Sequence, residues 1–167
     1  MVFPRVTIAY ALVLLGAAGC ARDAVRHPAD QLGWVDRSAL TDPRYPAFQV
    51  VYDTSRIAPE FTDMIREVQK GVDVLVFFGA WCSDSQRELP RFLKIADLAG
   101  IPEKRVRLYS LDRSKKSPDG LTATYGIERV PTFIFLKGGN EVGRIVEIPR
   151  TTLEADVLTI LVSAQAP

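Results

Sequence analysis

The run VDVLVFF, residues 72–78, limits the choice of fold more than any other stretch of the chain. Asp73 is its only polar residue, so the run lacks the alternation of a strand that has one face in water. A strand buried on both faces has this composition, and such a strand lies in the middle of a sheet. The run therefore predicts a central strand.

Apolar residues at helical or alternating spacing, bounded by Gly and Pro, predict the remaining elements. They are a short strand over 47–52, a helix from Pro59 that Gly71 ends, a helix from Cys82 to Gly100 that contains Pro90, a strand over 106–111, a hairpin over 132–148 with its turn at 138–140, and a closing helix capped by Thr151 and Glu154. This order predicts an α/β fold with a mixed central sheet flanked by helices.

The first twenty residues, MVFPRVTIAYALVLLGAAGC, are typical of a secretory signal peptide. Arg5 precedes an uncharged run from Val6 to Gly19, which is too short to cross a bilayer as a helix. AAGC, residues 17–20, resembles the lipobox of bacterial lipoproteins, although Ala17 stands where that motif prefers Leu. The resemblance implies cleavage before Cys20 and a lipid on that residue. An ordinary cleavage site or an uncleaved anchor is the alternative.

These features divide the chain into a signal peptide over 1–19, a lipid-anchored tether over 20–46 and a folded domain over 47–167. Some bacterial lipoproteins are retained at the inner membrane by an aspartate after the lipidated cysteine, and Ala21 occupies that position here. By this resemblance we predict a protein of the bacterial cell envelope, with the outer membrane favoured, that faces the periplasm or the outer surface.

The charge and the Cys and His content argue against several classes of site. The net charge is +1, whereas nucleic-acid binding usually needs a strongly basic face, so no nucleic-acid partner is predicted. Two Cys and one His fall short of the four ligands of a structural zinc site, and we predict neither a metal nor a cofactor. His27 lies far along the chain from Cys82, which disfavours a Cys–His catalytic pair.

Three segments resemble thioredoxin, and together they span about residues 55–163. They are the apolar strand that runs into Trp81 and Cys82, the segment YGIERVPTFIFLKGGNEVGRI over 125–145, and the amphipathic closing helix. The resemblance implies a thioredoxin-like fold and a cis bond before Pro131. It also implies that Val130 and Pro131 hold an extended substrate peptide beside Cys82.

Within that superfamily, Glu88 and Pro90 lie six and eight residues after the cysteine, as in membrane-anchored thioredoxin-like proteins that reduce periplasmic disulfides. This resemblance implies that Glu88 relays protons to the site. The alternative is a solvated residue on the outer face of the helix, and we favour that alternative slightly.

A cysteine at a helix start meets unpaired N–H groups and the positive end of the helix dipole, and both favour the thiolate. We therefore predict Cys82 as the nucleophile, with Ser85 as a hydrogen-bond donor to its thiolate. Trp81 is predicted as a shield beside the sulfur, and a core aromatic residue is the alternative. Asp84 opposes ionisation of the thiol to an extent that depends on where its side chain points. A small buried residue without reactivity is the alternative for Cys82.

Two positions depart from the thioredoxin pattern. Ser85 stands at the second cysteine of Trp-Cys-x-x-Cys, and Val76 stands at the buried aspartate. With one sulfur, Cys82 is predicted to exchange with protein thiols or disulfides outside the cytoplasm and to need an external reducing thiol for release. The alternative is a redox-silent module that holds an extended partner segment at Pro131. A peroxide-reducing enzyme is disfavoured, since Gly79 replaces the Thr of that family.

Overall fold

The computed structural model describes residues 32–43 and 45–166, so Cys20 and the predicted signal peptide lie outside the described residues. The described elements are β1 (Gly33–Val35), α1 (Pro46–Thr54), α2 (Pro59–Val68), β2 (Val72–Phe78), α3 (Ser83–Leu98), β3 (Val106–Ser110), α4 (Leu121–Thr124), β4 (Thr132–Lys137), β5 (Asn140–Val146) and α5 (Leu153–Gln165). Two short 3-10 helices, Arg37–Thr41 and Glu103–Arg105, precede α1 and β3. None of the described helices has both the length and the apolar character needed to cross a bilayer.

The strands form one mixed sheet in the order β1-β3-β2-β4-β5, with β2 at its centre. β2 pairs with β3 in parallel, whereas the β1–β3, β2–β4 and β4–β5 pairs are antiparallel. The predicted mixed sheet flanked by helices and the predicted central strand are both confirmed. One edge of this sheet therefore gathers the ends of β2 and β3 and the beginning of β4.

The two faces of the sheet are covered differently. Val74, Val76 and Phe78 of β2 join a core with buried residues of α1, α2, α3 and α5. Leu75 and Phe77 of the same strand belong to a second, smaller cluster, which includes residues of the segment 111–130. Both faces of β2 are thus out of water, as its apolar composition requires.

The predicted strand over 47–52 is wrong, because these residues lie in α1. Pro46 occupies the first turn of that helix, where the missing N–H of proline costs no hydrogen bond. Phe48 is buried and Tyr52, four residues on, packs against the same core. Packing at helical spacing outweighs the strand preference of Val50 and Val51.

The predicted boundary at residue 47 is also too late. β1 lies within the predicted tether over 20–46, and it pairs with β3 from Gly33↔Ser110 to Val35↔Leu108. The sheet therefore includes residues well before 47. The sequence pattern missed β1 because a strand of three residues is too short to show a period.

The predicted cap of the closing helix is one residue off. Thr152, rather than Thr151, is the N-cap, and its Oγ1 accepts a hydrogen bond from the Ala155 N–H at 3.3 Å. Thr151 Oγ1 instead donates to Asp156 Oδ1 at 2.7 Å. The hairpin of β4 and β5 and the helices at Pro59 and after Cys82 are present as predicted.

A cluster of polar side chains joins the N-terminal segment to α3. Arg37 donates to both carboxylate oxygens of Asp97, one of them at 2.6 Å, and the Tyr52 hydroxyl donates to Asp97 at 2.5 Å. Burial opposes ionisation of Asp97, but the hydrogen bonds from Arg37 and Tyr52 outweigh it and lower the pKa of Asp97 below its usual range. The ionised carboxylate thus stabilises the folded protein.

We expect Asp97→Asn to lower the free energy of unfolding at pH 7 by about 1 kcal/mol, a modest value because the side chains are partly exposed to solvent. Because folding lowers the pKa of Asp97, its carboxylate stabilises the folded protein above pH 3.8, the pKa of a free Asp. This contribution is lost as the pH falls from 3.8 through the lower pKa of the folded protein. Urea titrations at several pH values should therefore show the two proteins converging at low pH. Asp63→Asn, at an exposed helix pair, is the control with little effect. An undiminished difference in acid would contradict the assignment.

Candidate functional site

A tight turn connects the central strand to the longest helix. β2 ends at Phe78, the Cys82 N–H donates to the Gly79 carbonyl at 2.9 Å, and α3 begins at Ser83. Cys82 is the N-cap of α3, with extended φ and ψ of −94° and 125°. The predicted position of Cys82 at the start of a helix is therefore observed, although its side chain accepts no hydrogen bond from the first-turn amides.

The Cys82 thiol contacts the turn that precedes β4. Cys82 is half-buried and unbonded to another sulfur, and its Sγ–H donates to the Val130 carbonyl at 3.2 Å. The peptide bond between Val130 and Pro131 is cis, and both residues are buried. The fold thus brings Cys82, Val130 and Pro131 together, as predicted, although 48 residues separate Cys82 from Val130.

Ser85 supports the turn rather than the sulfur. Its side chain is fully buried, and its Oγ accepts a hydrogen bond from the Gly79 N–H at 3.2 Å. Within residues 32–43 and 45–166, no hydrogen bond joins Ser85 to Cys82. The predicted donor to the thiolate instead satisfies the amide that follows the end of β2.

Trp81 covers the turn from outside. Its Nε1–H donates to the Leu111 carbonyl at 2.9 Å, and the residue packs with Cys82 against the second cluster. A Cβ on Gly79 would lie 2.6 Å from ring atom Cε2, so only glycine leaves room for the ring at this place. Trp81 therefore lies next to the sulfur, where a shield would have to lie, and its shielding role stays a prediction.

Glu88 is buried, so the interpretation of a solvated residue is wrong. Only 2% of Glu88 is exposed, and its carboxylate accepts from Arg87 Nε at 2.6 Å and from Arg91 Nη1 at 3.2 Å. Arg91 also forms an ion pair with the buried Glu154 of α5 at 3.6 Å. The polar contacts of Glu88 lead through Arg91 to α5 and through Arg87 to Asp84 in the first turn of α3. The relay role inferred from the resemblance stays a prediction.

The structure also answers where Asp84 points. Its Oδ1 accepts from Arg87 Nη2 at 2.8 Å, so a cation compensates the acid that lies nearest to Cys82 along the helix.

The sequence patterns did not indicate Arg113, whose guanidinium lies 4.8 Å from the centroid of the Trp81 ring. The strand order could have indicated this contact, because Trp81 follows β2 and Arg113 follows β3. Residues that follow two neighbouring parallel strands lie at the same end of a sheet. Among the described residues, no group of three His, Cys, Asp or Glu side chains could hold a metal ion.

A family model described as Thioredoxin matches residues 40–159. The chain belongs to the thioredoxin family. Thioredoxin of Malassezia sympodialis is 31% identical over 98 residues, which are 57% of this chain and 89% of that protein. A thioredoxin-like protein of Acanthamoeba polyphaga mimivirus is 25% identical over 99 residues, 59% of this chain and 69% of that protein. The fold is shared with a Pseudomonas aeruginosa protein of unknown function, whose crystal structure aligns with a TM-score of 0.56 at 18% identity, over 78% of this chain and 99% of that chain.

Because Gly79 makes room for the Trp81 ring, we expect Gly79→Ala to displace this ring and to break its bond to Leu111. The indole emission should shift, measured in a Trp34→Phe background that leaves Trp81 as the only tryptophan. Overpacking should also lower the free energy of unfolding by about 1–3 kcal/mol.

Gly143→Ala is the matched control, since a Cβ there would lie 2.8 Å from Ile160 and far from the indole along the chain. This control should lose stability without a change in emission. An unchanged emission spectrum in Gly79→Ala would contradict the packing described for Trp81.

Proposed function

We propose that this thioredoxin-family protein carries out thiol–disulfide exchange through Cys82 alone, on proteins outside the cytoplasm. The observation that supports it is the Cys82 thiol, which is half-buried at the N-cap of α3 and lies 3.2 Å from the Val130 carbonyl beside cis-Pro131. Reactive cysteines typically lie at partly exposed positions such as helix N-termini, and the position of Cys82 is of this kind.

The proposed exchange has two steps. The Cys82 thiol loses its proton to solvent, and the thiolate attacks one sulfur of a partner disulfide, so that a Cys82–partner bond forms. The partner's other sulfur leaves as a thiolate with the electron pair of the broken bond. An external thiol then attacks the mixed disulfide and frees Cys82, because Ser85 supplies no second sulfur.

A peptide-binding role for the turn follows from its position. In strand addition, an extended peptide pairs its main chain with exposed backbone at the edge of a sheet. Val130 and Pro131 immediately precede β4, and the Cys82 sulfur contacts the Val130 carbonyl. We propose that an extended segment of the partner lies along this turn during exchange.

Disulfide adducts trapped in the cells of origin test the exchange directly. We expect wild-type protein to carry defined partners through Cys82 on non-reducing gels, and Cys82→Ala to carry none. If Cys82→Ala retained the same partners in cross-linking experiments and wild type formed no disulfide adducts, the redox-silent binding module would replace this proposal.

We further propose that cleavage before Cys20 yields a lipid-anchored protein of the bacterial cell envelope. The support is the sequence alone: an apolar run over 6–19 that ends in AAGC at 17–20. Lipid on Cys20 would leave Cys82 as the only thiol, since the chain has two cysteines.

Growth with an alkyne-bearing fatty acid tests this anchor. We expect wild type and Cys82→Ser to incorporate the fatty acid and to fractionate with membranes, and Cys20→Ser to do neither. The two variants remove the same type of side chain, so they control for each other. Labelling that persists in Cys20→Ser would refute the lipidation of Cys20.

A further inference from the structure

Arg113 lies against the residue that precedes the nucleophile. It belongs to the segment after β3, and its guanidinium lies 4.8 Å from the centroid of the Trp81 ring. The backbone on both sides is fixed, because the Leu111 N–H donates to the Phe78 carbonyl at 2.8 Å and its carbonyl accepts from Trp81. An arginine stacked on an aromatic ring keeps its N–H donors free at the rim of the ring.

Asp112, beside Arg113 in the sequence, and Asp84, in the first turn of α3, both bind other residues. Asp112 Oδ1 accepts from the Ser114 N–H at 2.8 Å and from its hydroxyl at 2.5 Å, and Ser114 thereby lowers the pKa of Asp112. Asp84 pairs with Arg87. Within residues 32–43 and 45–166, Arg113 forms neither an ion pair nor a hydrogen bond, and its guanidinium contacts the Trp81 ring.

The rest of the loop adds to this positive charge. Residues 112–116 read DRSKK, with three cationic side chains against the single carboxylate of Asp112. Fixed positive charge beside a site attracts anionic partners and repels cationic ones. An unpaired guanidinium favours a carboxylate in particular, because its planar fork donates two parallel hydrogen bonds to the two oxygens.

We propose, resting on the exchange function above, that Arg113 is a specificity-determining residue that binds a carboxylate of the partner. The preferred substrates are protein or peptide disulfides in which Asp or Glu lies next to the cysteine that Cys82 attacks. Arg113 binds that carboxylate from its place on Trp81 while Cys82 attacks the neighbouring sulfur.

The experiment compares two peptides that differ only in charge. Each contains one cysteine, linked by a disulfide to thionitrobenzoate and flanked by Asp in one peptide and by Asn in the other. Attack by the Cys82 thiolate joins Cys82 to the peptide sulfur and releases the coloured thionitrobenzoate with the electron pair, so absorbance reports the rate. The full-length chain with Cys20→Ser, in detergent, leaves Cys82 as the only thiol.

We expect the Asp peptide to react about three- to fivefold faster than the Asn peptide, and added salt to reduce this preference. Arg113→Gln should remove the preference, so that the two peptides react at equal rates, whereas Arg113→Lys should keep part of it. Arg107→Gln is the matched control, because Arg107 also stacks on a tryptophan, 3.7 Å from the centroid of the Trp34 ring, at the other end of β3. It should retain the full preference.

The outcomes separate this inference from the function on which it rests. Equal rates for the two peptides with wild type would overturn the role of Arg113 and leave the exchange intact. An equal loss of both rates in Arg113→Gln would also overturn it, since Arg113 would then act only by supporting Trp81. No reaction of either peptide with any variant would contradict the exchange function itself.

Discussion

The turn from Gly79 to Cys82 is the constraint on which the candidate site depends. β2 is the central strand and is buried on both faces, so the point where it ends is fixed by packing on all sides. Parallel pairing with β3 and antiparallel pairing with β4 bring Leu111 and Val130 to that same edge. Gly79 also positions the residues around the turn: its missing side chain leaves room for the Trp81 ring, and the Gly79 N–H donates to Ser85 Oγ.

The residues at the two positions that depart from the thioredoxin pattern, Ser85 and Val76, are both fully buried. At the position of thioredoxin's second cysteine, the buried Ser85 hydroxyl accepts a hydrogen bond from the Gly79 N–H and so stabilises the turn. Val76, which stands at the position of thioredoxin's buried aspartate, is fully buried in the apolar core. Neither residue supplies a thiol or a carboxylate at its position. Both features are consistent with the proposed exchange, in which an external thiol releases the partner.

Sequence patterns predicted what depends on one segment and missed what depends on contacts between segments. The apolar run over 72–78 predicted the central strand because a strand that is buried on both faces consists almost entirely of apolar residues. Burial of Glu88 was missed because part of its ionic network comes from Glu154, on another helix. The stacking of Arg113 on Trp81 likewise joins two segments, and the order of the strands indicates only that these segments lie close together. The helix at 46–54 shows tertiary packing overriding the strand preference of Val residues.

Intact-mass spectrometry after exposure to oxidised glutathione tests the central claim most directly. In the full-length chain with Cys20→Ser, Cys82 should gain one glutathione, keep it after the excess is removed, and lose it only when a thiol is added. The same chain with Ser85→Cys should release its glutathione unaided, because the new sulfur attacks the mixed disulfide. A Cys82 that stays unmodified in the folded protein, or an adduct that Ser85-containing protein sheds without any added thiol, would contradict the account.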